Sequence, residues 1–169
     1  MATPASSSSA ETAAAEIAAV PPGFVAVPMM SGFGRAVGPW YEKRANGRVI
    51  RAFRVEERHT NRLGIAHGGM LMAFADVLMG EAGRRASGKP SVTMRMTVDF
   101  VGPARLGDWV EGEGEATRTT RNLVFVRARV WRRRQTLLTT SGVFSYIRPR
   151  GEDGMPLPDP SAPDAGEAR

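Results

Sequence analysis

The stretch Ile65-Ala-His-Gly-Gly-Met-Leu-Met-Ala-Phe-Ala-Asp-Val-Leu-Met-Gly80 decides how this chain is read. It forms a helix candidate that opens on His67 and two glycines, and from Met70 to Met79 its one charged residue is Asp76. A helix apolar on all sides is expected to be enclosed by protein. An ionised carboxylate enclosed with it is costly unless paired or put to use. Asp76 is therefore either a structural carboxylate bonded to neighbouring backbone or a working group. Spacing adds a constraint. His67 and Asp76 are nine residues apart, and at ~100° and ~1.5 Å per residue they point to opposite faces of the helix, roughly 13 Å apart along its axis. If they act together, they come from two copies of the chain across a two-fold axis, which generates two identical sites.

Outward from this helix the chain reads as strands. Gly38 to Lys43 and Arg48 to Glu56 flank Ala45-Asn46-Gly47, a strong hairpin signal. Beyond Gly88-Lys89-Pro90, residues 91–101 alternate, with Val92, Met94, Met96, Val98 and Phe100 set against Thr93, Arg95, Thr97 and Asp99. After a turn over Gly102 to Asp108, three further strands are predicted at Trp109 to Arg118, Leu123 to Trp131 and Leu137 to Ile147. Strands, one long helix, then an antiparallel run argue for an α+β fold with a curved antiparallel sheet around the helix. Gly112, Gly114 and Gly142 suit bending or close backbone approach.

Composition narrows the chemistry. There is no cysteine, and His59 and His67 are the only histidines, so thiolate zinc sites, disulfides and multi-histidine metal sites are excluded. No apolar run is long enough to span a membrane, and residues 1–20 lack the basic segment of a signal peptide. A cytoplasmic location is the default. Those first twenty residues read as disordered or as a short Ala-rich helix, residues 21–148 as one domain, and residues 149–169 as a disordered Pro-rich acidic tail. The formal charge is +6; the first twenty residues carry −2 and the last twenty-one −3, which leaves +11 on residues 21–148. Such a balance suits a polyanionic partner: nucleic acid, an anionic surface, or a small ligand with several phosphates. No recognition helix or aromatic array on a basic strand supports nucleic acid. Gly83-x4-Gly88-Lys89 imitates a phosphate loop, but Pro90 stands where the metal-binding hydroxyl is required. No dinucleotide fingerprint or nucleophile elbow is present.

Glycines at a helix N-terminus let a substrate approach amides that stabilise an oxyanion; the plainer reading is an entry turn with His67 as cap. Asn61-x-x-Gly64-x-x-His67-Gly68-Gly69 with Asp76 nine after the His, followed by Gly102-Pro103-Ala104-x-Leu106-Gly107-Asp108, resembles the PaaI-like acyl-CoA thioesterases of the hotdog fold. The resemblance runs from about Gly38 to Tyr146. It implies a six-stranded sheet around the helix, subunits paired sheet edge to sheet edge as a homodimer or a dimer of dimers, and active sites at that interface. It also implies hydrolysis of acyl-CoA to free acid and CoA with no cofactor or metal.

Carried over by residue, the Gly68 N–H polarises the thioester carbonyl, assisted by the Asn61 amide with His67 orienting the group. Asp76 of the other subunit activates water or attacks directly. Thr93 stands near the position of the family's serine, although the match there needs a one-residue gap. Gly69 lies against the substrate, and Arg121 and Asn122, in the turn over residues 118–122, meet the nucleotide part of CoA. The alternative on the same fold is a non-catalytic acyl-CoA binding or sensing module. His59 and the Arg132-Arg133-Arg134 hairpin are read as structural and solvated, respectively.

Overall fold

Asn46 and Gly47 take positive φ values of 51° and 72°, the two-residue turn that the Asn-Gly pair predicts. They join β2 (Trp40–Ala45) to β3 (Arg48–Arg54). The computed structural model describes residues 19–29 and 31–147; the expectations for the N-terminal segment up to residue 18 and for the acidic tail lie outside these. Before the hairpin come β1 (Val25–Val27) and a short helix α1 (Gly32–Val37). After it come a 3-10 turn (Glu57–His59), the long helix α2 (Gly68–Ser87), β4 (Ser91–Phe100), β5 (Trp109–Thr119), β6 (Leu123–Arg132) and β7 (Gln135–Tyr146). All strand pairs are antiparallel, in the order β1-β2-β3-β5-β6-β7-β4. The sheet has seven strands, not six: β1 adds to the edge of β2, backed by Phe24 edge-on to Trp109 at 5.3 Å.

Helix α2 begins at Gly68 because Ile65 is held by a bridge to Arg105, and it runs past Gly80 to Gly88, whose left-handed backbone (φ 70°) returns an N–H to the Arg84 carbonyl at 2.8 Å. It buries Leu71, Phe74, Ala75, Leu78 and Met79 against the sheet. Gly114 of β5 allows this contact, since a Cβ there would lie 2.4 Å from the Leu78 carbonyl oxygen. The helix is not enclosed on every side within one chain. Its other side leaves Met72 40% exposed and Asp76 half-buried, because the sheet curls round only one face. Among the described residues no helix is long and apolar enough to cross a membrane.

Among the described residues the sheet ends on β4, which pairs with β7 alone. Here the predicted alternation fails in an informative way. Thr93 pairs with Phe144 but Arg95 pairs with Val143, so Met94 is an extra residue in a β-bulge. Phase reverses across it. Thr93 joins the helix-facing set of Met96 and Val98, while Val92 and Met94 stay 52% and 65% exposed.

Candidate active site

Asp76 sits on the open side of α2, two and a half turns into the helix, beside the start of β4. The bulge turns Thr93 inward, and its hydroxyl donates to Asp76 Oδ1 at 2.5 Å. This is the bond expected of a carboxylate held for work or held for structure; it anchors one oxygen and leaves Oδ2 without a hydrogen-bond partner among the described residues. A cavity of about 470 Å³ opens at the same place, lined by Asp76, Val77, Gly80, Thr93 and Phe144 and walled by Arg51, Glu81 and Arg84. The last three were not singled out in the sequence. Arg51 lies in a hairpin strand and Glu81 just beyond the expected helix end, and only the fold joins them. Arg51 is bonded to Glu42 at 3.2 Å and lies 3.7 Å from Glu81, which receives two bonds from Arg84 at 3.0 and 2.7 Å. Burial pushes the Glu81 carboxyl up, but the Arg84 hydrogen bond and the charges of Arg51, Arg84 and Arg85 outweigh it and hold it below the usual value.

The glycine mouth of α2 lies at the other end of β4. His67 caps the helix, its Nδ1 accepting the Gly69 N–H at 2.9 Å, so the Gly69 amide expected to face substrate is already engaged. The Gly68 amide makes no hydrogen bond among the described residues. The Phe100 ring rests against this residue, where a Cβ would meet Cζ at 3.3 Å, and the absence of a side chain keeps the mouth open. Asn61 is shaped by its own loop. Its N–H donates to the Ile65 carbonyl, its carbonyl accepts from Gly64, and its Oδ1 accepts the Leu63 N–H at 2.9 Å. That last bond fixes the amide orientation and leaves Nδ2 as the outward donor. The loop is tied to the helix mouth by the His67 N–H donating to the His59 carbonyl at 2.7 Å. His59 itself is buried, its Nδ1 accepting the Glu56 N–H at 3.0 Å.

The structure thus places the candidate residues in two separate groups. Thr93 and Asp76 stand at the start of β4, Gly68 and Asn61 at its end, and one chain does not bring them together. Arg121 and Asn122 are exposed in the β5–β6 turn, at the Thr93 end of the sheet, where the Asn122 carbonyl accepts from Tyr146 at 3.0 Å. The arginine triplet divides. Arg132 ends β6 and bonds Asp108 at 2.5 Å, so it is not part of a solvated hairpin; the turn is Arg133-Arg134. A larger cavity of about 830 Å³, lined by Arg48, Arg85 and Glu113 among others, opens where β3 and β5 part beyond Arg51 and Gly112; it contains neither group. Among the described residues no three His, Asp or Glu side chains converge to hold a metal.

Comparison with known proteins bears on this arrangement. A family model described as Thioesterase superfamily matches residues 63–139. The Pseudomonas aeruginosa protein named "Putative esterase PA0474" is 34% identical over 128 residues, covering 74% of this chain and 96% of that protein. Human acyl-coenzyme A thioesterase 13 is 32% identical over 82 residues, 48% of this chain and 59% of its own length, so the match spans well under two thirds of that relative. Two solved structures share the fold. A single-residue mutant of the phenylacetic acid degradation protein PaaI from Thermus thermophilus has a TM-score of 0.62 at 24% identity, over 69% of this chain and 100% of that one. BH2602 from Bacillus halodurans, solved with CoA, has a TM-score of 0.59 at 22% identity, over 64% and 74%. The family model and the near-complete match to the Pseudomonas protein agree with the helix-in-sheet architecture, and the chain belongs to the thioesterase superfamily, with the hotdog fold.

Proposed function

We propose that the protein hydrolyses acyl-CoA thioesters to a free acid and coenzyme A, using Asp76 of one subunit with Gly68 and Asn61 of another. The observation that carries this reading is the Thr93–Asp76 hydrogen bond at one end of an edge strand whose other end holds the open glycine mouth. Two copies that pair their β4 edges antiparallel set the start of one β4 beside the end of the other. Each Asp76 then faces a partner's helix mouth. The exposed Val92, Met94 and Phe100 on that strand favour such cover. The names of the relatives support thioester hydrolysis, and a fold neighbour solved with CoA supports the nucleotide thioester as the substrate class.

In this mechanism the thioester carbonyl oxygen sits on the Gly68 N–H and the Asn61 Nδ2, where developing negative charge is stabilised. Asp76 takes a proton from water as its oxygen bonds to the carbonyl carbon, or its Oδ2 attacks first and water releases the acid. Either way the C–S bond breaks and the thiolate leaves as CoA after taking up a proton. Arg121 and Asn122 are assigned to the nucleotide end, and no metal or redox cofactor takes part. The test is thiol release from a panel of short, medium and aryl acyl-CoAs. Turnover is expected, and Asp76→Asn is expected to fold normally and lose about two to four decades of kcat/KM. No turnover across the panel overturns hydrolysis, and retention of intact acyl-CoA would instead mark a binding module.

A further inference from the structure

Two glycines interrupt the interior of α2, each at a cost in helix stability. Gly83 has a packing reason, since a Cβ there would press on Val124 Cγ1 at 3.0 Å. Gly80 has none within the chain; its Cβ would meet Phe144 Cε1 at 3.6 Å, an ordinary contact. What the missing side chain does is open the cavity beside Asp76. Past this notch the wall is charged. Arg51 and Glu81 have side chains only 13% and 12% exposed, and they belong to an alternating chain of charges, Arg44, Glu42, Arg51, Glu81 and Arg84. A guanidinium has five N–H donors. Among the described residues Arg51 makes one hydrogen bond, to Glu42, and Arg84 makes two, to Glu81, so both keep donors beyond the network.

We infer that the Gly80 notch takes the acyl group, given the thioester hydrolysis proposed above, and that Arg51 and Arg84 select an acyl group with an oxygen acceptor at its far end. A hydroxyl or a carboxylate supplies that acceptor. A methyl end would strip water from the guanidinium donors and return nothing, and a site built to bond a substrate oxygen rejects the analogue that lacks it. Val77 and Phe144 line the cavity with apolar surface for the intervening carbons.

The experiment compares matched substrates with the full-length protein: hexanoyl-CoA against 6-hydroxyhexanoyl-CoA and adipyl-CoA, and benzoyl-CoA against 4-hydroxybenzoyl-CoA. At least one oxygen-tailed member is expected to exceed its plain counterpart by about tenfold or more in kcat/KM, and which arm does so tells hydroxyl from carboxylate. Arg84→Met, whose side chain is 59% exposed and does not threaten folding, and the charge-balanced Arg51→Met/Glu81→Leu are expected to bring that ratio towards one. Gly80→Val should depress turnover of hexanoyl-CoA more than of acetyl-CoA. Plain chains hydrolysed as well as their oxygen-tailed partners would overturn the inference and leave the thioesterase reading standing. A preference that survives both arginine variants would overturn the assignment to these residues. Absence of turnover of every substrate would overturn both.

Discussion

A threonine hydroxyl 2.5 Å from one oxygen of Asp76 has a specific consequence for the other oxygen. It anchors Oδ1 and leaves Oδ2, the oxygen that the proposed mechanism uses, without a hydrogen-bond partner among the described residues. Thr93→Val is therefore expected to lower kcat about 10- to 100-fold with little change in KM, while Thr93→Ser restores most of it. Steady-state kinetics set beside a thermal melt separates this positioning role from a structural one, which would lower the melting temperature of Thr93→Val and leave kcat of the folded protein unchanged. His59 supplies a different residue-level prediction. Burial pushes its imidazole below the ordinary value of 6.5; the Arg58 charge adds to this and the Glu56 charge opposes it. Because the folded state resists protonation, stability is full above that ordinary value and falls as pH drops through it towards the lower folded pKa. The urea midpoint should decline from pH 7 to pH 5, and His59→Gln should flatten the decline. Glu81, held below its ordinary value of 4.5, adds a separate loss only in more acid solution.

At the scale of elements, the bulge in β4 is where the reading of the sequence and the fold part company. Val92-Thr-Met-Arg-Met-Thr-Val-Asp-Phe100 alternates without a break, and nothing in it marks Met94 as surplus. The phase is decided by pairing with β7, which is a long-range property. Removing Met94 should leave Thr93 opposite Phe144 and Arg95 opposite Val143 in an unbroken ladder, so Thr93 keeps the face that reaches Asp76 and kcat/KM should fall far less than it does in Thr93→Val, a result that activity and a thermal melt together can check. Elements with strong local signals were legible: the Asn46-Gly47 hairpin, the long helix, which nevertheless runs on from Gly80 to its stop at Gly88, and the three strands from Trp109 onward. Others were too short to show. β1 has three residues and is backed by Phe24 on Trp109, and α1 has six, held by the Ser31 cap on the Gly34 N–H. Asp76 stands out in the sequence as the one charge between Met70 and Met79, and the roles proposed for His67, Gly68 and Asn61 enter through the family resemblance. The Arg51–Glu81 wall was not legible, because two charges thirty residues apart look like solvated surface until the sheet folds over the helix.

For the whole molecule, the decisive property is that the two groups of candidate residues stand at opposite ends of one edge strand, with the outer side of β4 unpaired among the described residues. A monomeric enzyme would need to move Asp76 by more than a helix turn to meet the glycine mouth, which packed interiors do not permit. Pairing of two β4 edges needs no such movement. Subunit mixing tests this directly. Asp76→Asn and Asn61→Ala should each be inactive alone, because every homodimer carries the same defect in both sites. In a hybrid, one site receives both substitutions and the other none. Equal mixing with free exchange makes half of the dimers hybrids with one good site of two, so about a quarter of the unmodified activity is expected to return. Native mass spectrometry can establish that exchange has occurred. No recovery after demonstrated exchange would place Asp76 and Asn61 in a site made by one chain, and the two-subunit arrangement would then be abandoned.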